Sequence, residues 1–420
     1  MIAVKRPTLL ATPEDLGFDD NDDLARSAPS LISEDSGGDG GGSAEGRGGR
    51  AIKSRRVTPL TPAALPVTPA RTPELTMRAS GVLKSGSTVR NIFARVTYTI
   101  VRQLGAGTGG TVYSASIDGS QTPAVALKRF IYVPLDEQAQ RRDIPVFTYE
   151  SSDDALAAAR AEFSLLRVIT RRSQRLMCAS DVVCADALFQ TSPNETFLVF
   201  PYIEAKNLQQ YTDEVLHPMS IVPKRQRAFV HDALHIIENV LRIVARLEAI
   251  SVAHVDLKPA NILITPAGVV KLIDFGIGCN FPDELDDNPL QEDVVTTACK
   301  QRYATTLAYQ DPQASKLRPS DTVPMQRLYQ AFALYSIGKM LQLLFDAAQQ
   351  PQDKLVVRAT TLMPSYVLKI IQSMTQSDVL ARRTPAEYAE RLQIARQHYL
   401  ADAHANELEQ RRRGTAEMRQ

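Results

Sequence analysis

The stretch from His254 to Gly276 reads H-V-D-L-K-P-A-N-I-L-I-T-P-A-G-V-V-K-L-I-D-F-G and constrains the chain more than any other. It sets two carboxylates, a lysine and an asparagine at fixed offsets between apolar runs. Asp256, Lys258 and Asn261 come first, Pro266 to Gly268 carries turn chemistry, and an apolar strand pattern from Val269 to Ile273 leads into Asp274. Asp274 lies thirteen positions beyond Asn261, room for a short strand, a tight turn and a return strand. Such a hairpin brings both oxygen-bearing side chains to one end. Together these groups offer an acceptor for a hydroxyl proton, a cation for transferred charge and oxygen ligands for a divalent ion, the set that phosphoryl transfer requires.

The stretch closely resembles the catalytic loop and D-F-G motif of eukaryotic-type protein kinases, and D-L-K-P-A-N is the form found in their Ser/Thr members. The resemblance implies a two-lobed α+β fold, with a small β-rich N-lobe carrying one main helix and a larger helical C-lobe. It also implies Mg-ATP as the phosphoryl donor and Ser/Thr hydroxyls of proteins as acceptors. Asp256 would take or orient the acceptor's proton, and Lys258 would steady the transferring group. Asn261 and Asp274 would hold Mg²⁺.

Upstream segments fall in the order this resemblance needs. Tyr98 to Leu104 alternates as a strand, and Gly105-Ala-Gly107-Thr-Gly-Gly110-Thr-Val112 leads into a second strand. A strand after the glycines, where a dinucleotide fold would have a helix, favours a phosphate-covering hairpin. Leu104, Gly105, Gly107, Gly110 and Val112 would then surround the nucleotide, with Val112 on the adenine face. Val125-Ala126-Leu-Lys128 matches the strand whose lysine binds the α- and β-phosphates. Its carboxylate partner is Glu162, on a helix expected over Ala155 to Ile169, or Glu150. Phe197 to Ile203 reads as a strand entering a hinge; Phe200 would gate the pocket, the backbone of Pro201 to Ile203 would meet the base edge, and Asn207 would meet the ribose. Gln226 to Ile250 has the apolar spacing of one long core helix.

The sequence departs from the family pattern in three places, which marks a divergent branch. Val255 replaces the arginine before the catalytic aspartate, so activity is expected without a phosphorylated loop paired there. Gln313 stands where a glutamate normally pairs with an arginine, expected here to be Arg383. Ala333 replaces an aspartate that receives catalytic-loop backbone donors. A pseudokinase, a nucleotide-stabilised binding or scaffold module, is therefore the alternative to an active kinase. The segment Asp274 to Gln313 is acidic between Asp283 and Asp293, and Thr296 and Thr297 are candidate phosphosites in it.

A chain of 420 residues with a formal charge of +1 gives no global field toward nucleic acid or membrane, and no run is apolar enough to span a bilayer. Its four cysteines show no metal-binding spacing and read as free thiols in a reducing compartment, so a cytoplasmic or nuclear location is expected. Residues 1–92 read as a disordered Gly/Pro/Ser/Thr-rich tail, 93–398 as the kinase domain (N-lobe about 93–200, C-lobe about 204–398), and 399–420 as a charged tail. Order is expected from near Tyr98. Five Thr-Pro pairs, at Thr12, Thr58, Thr61, Thr68 and Thr72, make the first tail a candidate substrate for proline-directed kinases.

Overall fold

A computed structural model describes residues 81–107, 109–120, 122–134, 149–281, 306–317, 325–346 and 362–417, with side chains described as far as residue 402. The Thr-Pro pairs, the acidic run Asp283 to Asp293 and Thr296-Thr297 lie outside these residues.

The N-terminal part is built on six antiparallel strands in the order β1-β2-β3-β4-β6-β5: β1 Thr88–Asn91, β2 Val96–Gly107, β3 Gly110–Ile117, β4 Val125–Ile131, β5 Ala187–Ser192 and β6 Glu195–Pro201. Alternation sorts their side chains. On β4, Leu127 joins Tyr98, Ile100, Tyr113, Phe189 and Phe197 in the core of one face, while Ala126 and Lys128 line a cleft on the other. Tyr98, Phe189 and Phe197 stack in series, with ring centroids 5.8 and 5.4 Å apart.

This sheet starts earlier than expected. β1 lies inside the segment assigned to the tail, because Asn91 Oδ1 accepts the N–H groups of Phe93 and Ala94 at 3.2 and 3.1 Å and turns the chain back into β2. The four residues of β1 are too few to show a strand pattern.

Helix α1, Ser152–Arg172, crosses to the sheet. Ser151 caps its N-terminus by accepting the Asp154 N–H, Asp153 and Asp154 occupy the first turn, and Arg171 and Arg172 the last, each favourable to the helix dipole. Its buried stripe is Ala155, Ala159, Glu162, Leu165, Leu166 and Ile169, so the periodicity that makes the helix amphipathic also turns Glu162 inward. Glu150 is exposed and precedes the cap. A short helix, α2 (Leu176–Ser180), follows.

The C-terminal part is helical: α3 Gln226–Ala249, α4 Met325–Asp346, α5 Ser365–Thr375 and α6 Pro385–Glu417. The apolar positions anticipated on α3, from Phe229 to Leu247, are all buried. α6 runs through the boundary expected at residue 398, because nothing between Tyr399 and Glu417 breaks a helix apart from Gly414. Short strands complete the frame: β7 Lys206–Asn207, β8 Val252–Ala253, β9 Ile262–Ile264, β10 Val270–Leu272 and β11 Cys279–Asn280. Among the described residues no helix is long and apolar enough to cross a membrane.

The free-thiol reading does not hold. Cys178 and Cys184 form a disulfide with Cα atoms 5.4 Å apart, and Cys279 is disulfide-bonded as well. Disulfides persist where thiols are not continually reduced, so the cysteines no longer argue for a reducing compartment. A spacing of six residues says nothing about pairing until the turn between them is known.

Candidate active site

β9 and β10 form the hairpin that the sequence implied, with Ile262 opposite Leu272 and Gly268 at φ 76° in the turn. Beyond it the Ile273 N–H donates to the Asn261 carbonyl at 3.0 Å, which sets Asn261 and Asp274 side by side at the hairpin's open end.

Lys128 links the two parts of the chain. Its Nζ donates to Glu162 Oε2 at 2.7 Å and to Asp274 Oδ1 at 2.6 Å. Burial alone would push the lysine's pKa down, but the Asp274 and Glu162 charges more than offset it and the value is raised. The carboxylates respond unequally. Burial pushes Glu162 up to about 7 although Lys128 opposes it, and its Oε1 is buried without a hydrogen-bond partner. Asp274 is also penalised by burial, yet the Lys128 charge dominates and holds it down at about 2. One ammonium cannot satisfy two carboxylates equally, and the more solvated Asp274 keeps its charge more easily.

The backbone is strained at two points of this stretch. Val255 has φ 69° and Asp274 φ 64°, values that cost a non-glycine residue about 1–3 kcal/mol. At Val255 the Asp256 N–H donates to the His254 carbonyl at 2.9 Å, closing a γ-turn. His254 anchors this turn. Its buried ring packs 4.5 Å from that of Phe275 and donates through Nε2 to the Ile273 carbonyl at 2.9 Å, and burial lowers its pKa, keeping it neutral.

Around Asp256 the polar groups converge. Lys258 Nζ donates to its Oδ2 at 2.6 Å, and Asn261 Nδ2 donates to its carbonyl at 2.9 Å. Thr306 donates to Asp256 Oδ1 from both N–H and hydroxyl at 3.2 Å, and its hydroxyl accepts from Lys258 at 3.1 Å. A threonine hydroxyl thus lies between a carboxylate acceptor and an ammonium.

A cleft of about 980 Å³ opens beside these groups. It is lined by every nucleotide-contacting residue expected from sequence: Leu104, Gly105, Gly107, Gly110, Val112, Ala126, Lys128, Phe200, Pro201, Ile203 and Asn207, with Glu162, Lys258, Asn261 and Asp274 also at its wall. Asn207 acts on the backbone as well, since its Oδ1 accepts the Gln210 N–H at 2.9 Å and caps the helix Leu208–Tyr211.

Gly109 and Leu263 are among the lining residues missed in the sequence. Gly109 lies so close to the charged cluster that a Cβ there would be 3.2 Å from Lys128 Nζ and 3.4 Å from Asp274 Oδ1. The spacing of the glycine motif draws attention to its neighbours instead. Leu263, on β9, adds an apolar wall, and its place two residues after Asn261 in an apolar strand was the available signal. The cleft fits the group that the fold implies. Gly109 leaves room where any side chain would intrude, and an asparagine with one carboxylate suits Mg²⁺, which takes few protein ligands and completes its shell with phosphate and water.

A family model described as protein kinase domain matches residues 98–391. The chain belongs to the eukaryotic-type protein kinase family. Its kinase domain is 28% identical over 202 residues to a protein named "Probable cell division protein kinase" from Encephalitozoon cuniculi, covering 47% of this chain and 59% of that one. It is 32% identical over 180 residues to cyclin-dependent kinase 4 of Ovis aries, covering 43% and 52%. Against cyclin-dependent kinase 17 of Caenorhabditis elegans it is 33% identical over 128 residues, covering 30% and 16%. The matches therefore span little more than half of these relatives at most.

All three departures from the kinase pattern can be placed in three dimensions. The buried arginine is Arg382, where Arg383 was expected, and its partner is Asp311, where Gln313 was expected. Arg383 pairs instead with Glu387 on the surface, at 3.6 Å. Arg382 also donates to the carbonyls of Ala331 and Gln376. Val255 and Ala333 line one cavity of about 20 Å³ with Ser336 and Asp311, room for a single water.

Proposed function

We propose that this kinase is active and transfers the γ-phosphoryl group of Mg-ATP to serine or threonine hydroxyls of protein substrates. The observation that carries this reading is the Thr306 hydroxyl held between Asp256 Oδ1 and Lys258 Nζ. A hydroxyl of the acceptor class fits there. Bound Mg-ATP would supply the phosphoryl group. Lys128, braced by Glu162, would hold its phosphates, Asn261 and Asp274 would hold the metal, and Gly105 to Gly110 would cover it. Asp256 would then orient the acceptor hydroxyl and receive its proton, while Lys258 would offset charge on the transferring oxygens. The D-L-K-P-A-N form from Asp256 to Asn261 supports Ser/Thr acceptors. The Thr-Pro pairs before residue 81 remain, on this reading, sites for proline-directed kinases.

The test is labelling of a generic Ser/Thr substrate from ATP by the purified chain beside Asp256→Asn and Asp274→Ala. Wild-type labelling on Ser or Thr with both variants silent supports the reading. Silence of all three, with Mg-ATP still raising the melting temperature, would replace it with the pseudokinase reading.

A further inference from the structure

The disulfide between Cys178 and Cys184 closes a ring at the junction of the sheet-rich and helical parts. Inside the ring, the Asp181 carboxylate accepts two bonds from Arg246 of α3, at 2.6 and 2.8 Å. On both sides of Asp181 the same segment is bonded to β10. The Leu272 N–H donates to the Asp181 carbonyl at 2.8 Å, the Val183 N–H donates to the Leu272 carbonyl at 3.0 Å, and Lys271 Nζ donates to the carbonyls of Ala179 and Ser180 at 2.8 and 3.0 Å. Leu272 is two residues from Asp274. On the other side, Cys178 Sγ lies 3.2 Å from the Thr170 hydroxyl of α1, the helix that carries Glu162. The ring therefore ties the helix of one Lys128 partner to the strand of the other.

We propose that Cys178 and Cys184 are positioning residues whose bond holds Glu162 and Asp274 at the separation Lys128 bridges. Between α2 and β5 the chain has no regular structure beyond a single bridge at Val182, so the covalent bond limits how far α1 can move relative to β10. Reduction splits the S–S bond into two thiols, taking two electrons and two protons from a dithiol that itself becomes a disulfide. The released segment keeps its hydrogen bonds but samples more conformations, and Glu162 and Asp274 lose their fixed spacing.

The proposal rests on the kinase reading for its catalytic readout and is tested with a second, independent one. Cys178→Ala/Cys184→Ala, which leaves Cys279 in place, is compared with the wild type for kcat, for KM toward ATP and toward peptide, and for amide hydrogen exchange. Expected are a roughly tenfold rise in KM for ATP, an unchanged peptide KM, and faster exchange at Glu162 and at Ile273 to Asp274, with exchange in α3 unaltered. Equal rises in both KM values, or exchange unchanged at Glu162 and Asp274, overturn it. If the wild type itself is silent, the kinase reading falls and the exchange comparison alone decides the clamp.

Discussion

Asp311 and Arg382 face one another as a buried ion pair, each side chain only 1% exposed. The pair joins the segment after Thr306 to the loop before α6, with a carboxylate two positions earlier than the family pattern places it. Asp311→Ala should cost about 3–5 kcal/mol, because it strands the Arg382 charge in the interior. Gln313→Glu should change stability by no more than about 0.5 kcal/mol, since Arg382 is already paired. Urea midpoints measured for both variants would check this, and a large gain from Gln313→Glu would refute the assignment.

Glu162 makes stability depend on pH in a direction opposite to an ordinary salt-bridged carboxylate. Its pKa is raised from 4.5 to about 7 in the fold, with burial the leading cause. The folded state therefore holds this proton more tightly than the unfolded one. That contribution is fully present below about pH 4.5 and disappears as pH rises through about 7. Glu162→Gln cannot titrate. The melting temperature of the nucleotide-free wild type, relative to the variant, should be more favourable at about pH 5 than at about pH 8, and a gap that does not move with pH would show that Glu162 titrates normally.

The glycines of the hairpin between β2 and β3 should differ sharply. At Gly110, φ is +115° and a Cβ would lie 2.4 Å from the Arg129 carbonyl, so Gly110→Ala should destabilise by at least about 1–3 kcal/mol. Gly107 has nothing within 4 Å of its Cβ position, and Gly107→Ala should be tolerated. Gly109→Ala should leave the fold intact and weaken ATP binding by crowding Lys128. Thermal melts with and without Mg-ATP separate the three.

Val255 supplies no cation for a phosphorylated loop to pair with. Phosphatase treatment of the purified kinase should therefore leave its rate within about twofold. A collapse in rate would mean that a different basic residue takes that role.

Much of the site could be read in the chain because local periodicity decides it. Alternation along β4 fixes which face Lys128 shares with Ala126, and the helical stripe of α1 places Glu162 among inward residues. The Asn261 to Asp274 hairpin follows from its length and its turn. What escaped depends on chain segments meeting at a distance. Asp311 could not be preferred to Gln313 by comparing positions one at a time, and Cys178 and Cys184 gave no spacing that demanded a bond. Gly109 gained meaning only from where Lys128 and Asp274 lie, and β1 was too short to announce itself.

The shared lysine has a consequence for the order in which the cleft is filled. Above neutral pH, Lys128, Glu162 and Asp274 leave one negative charge in excess, in a space where water screens poorly. A bare polyphosphate arriving there meets repulsion along with its lysine. A polyphosphate already carrying a divalent ion brings the countercharge with it. On the proposed reading this trio would therefore favour the metal complex over the free nucleotide, a preference set around a single lysine before any catalytic step begins.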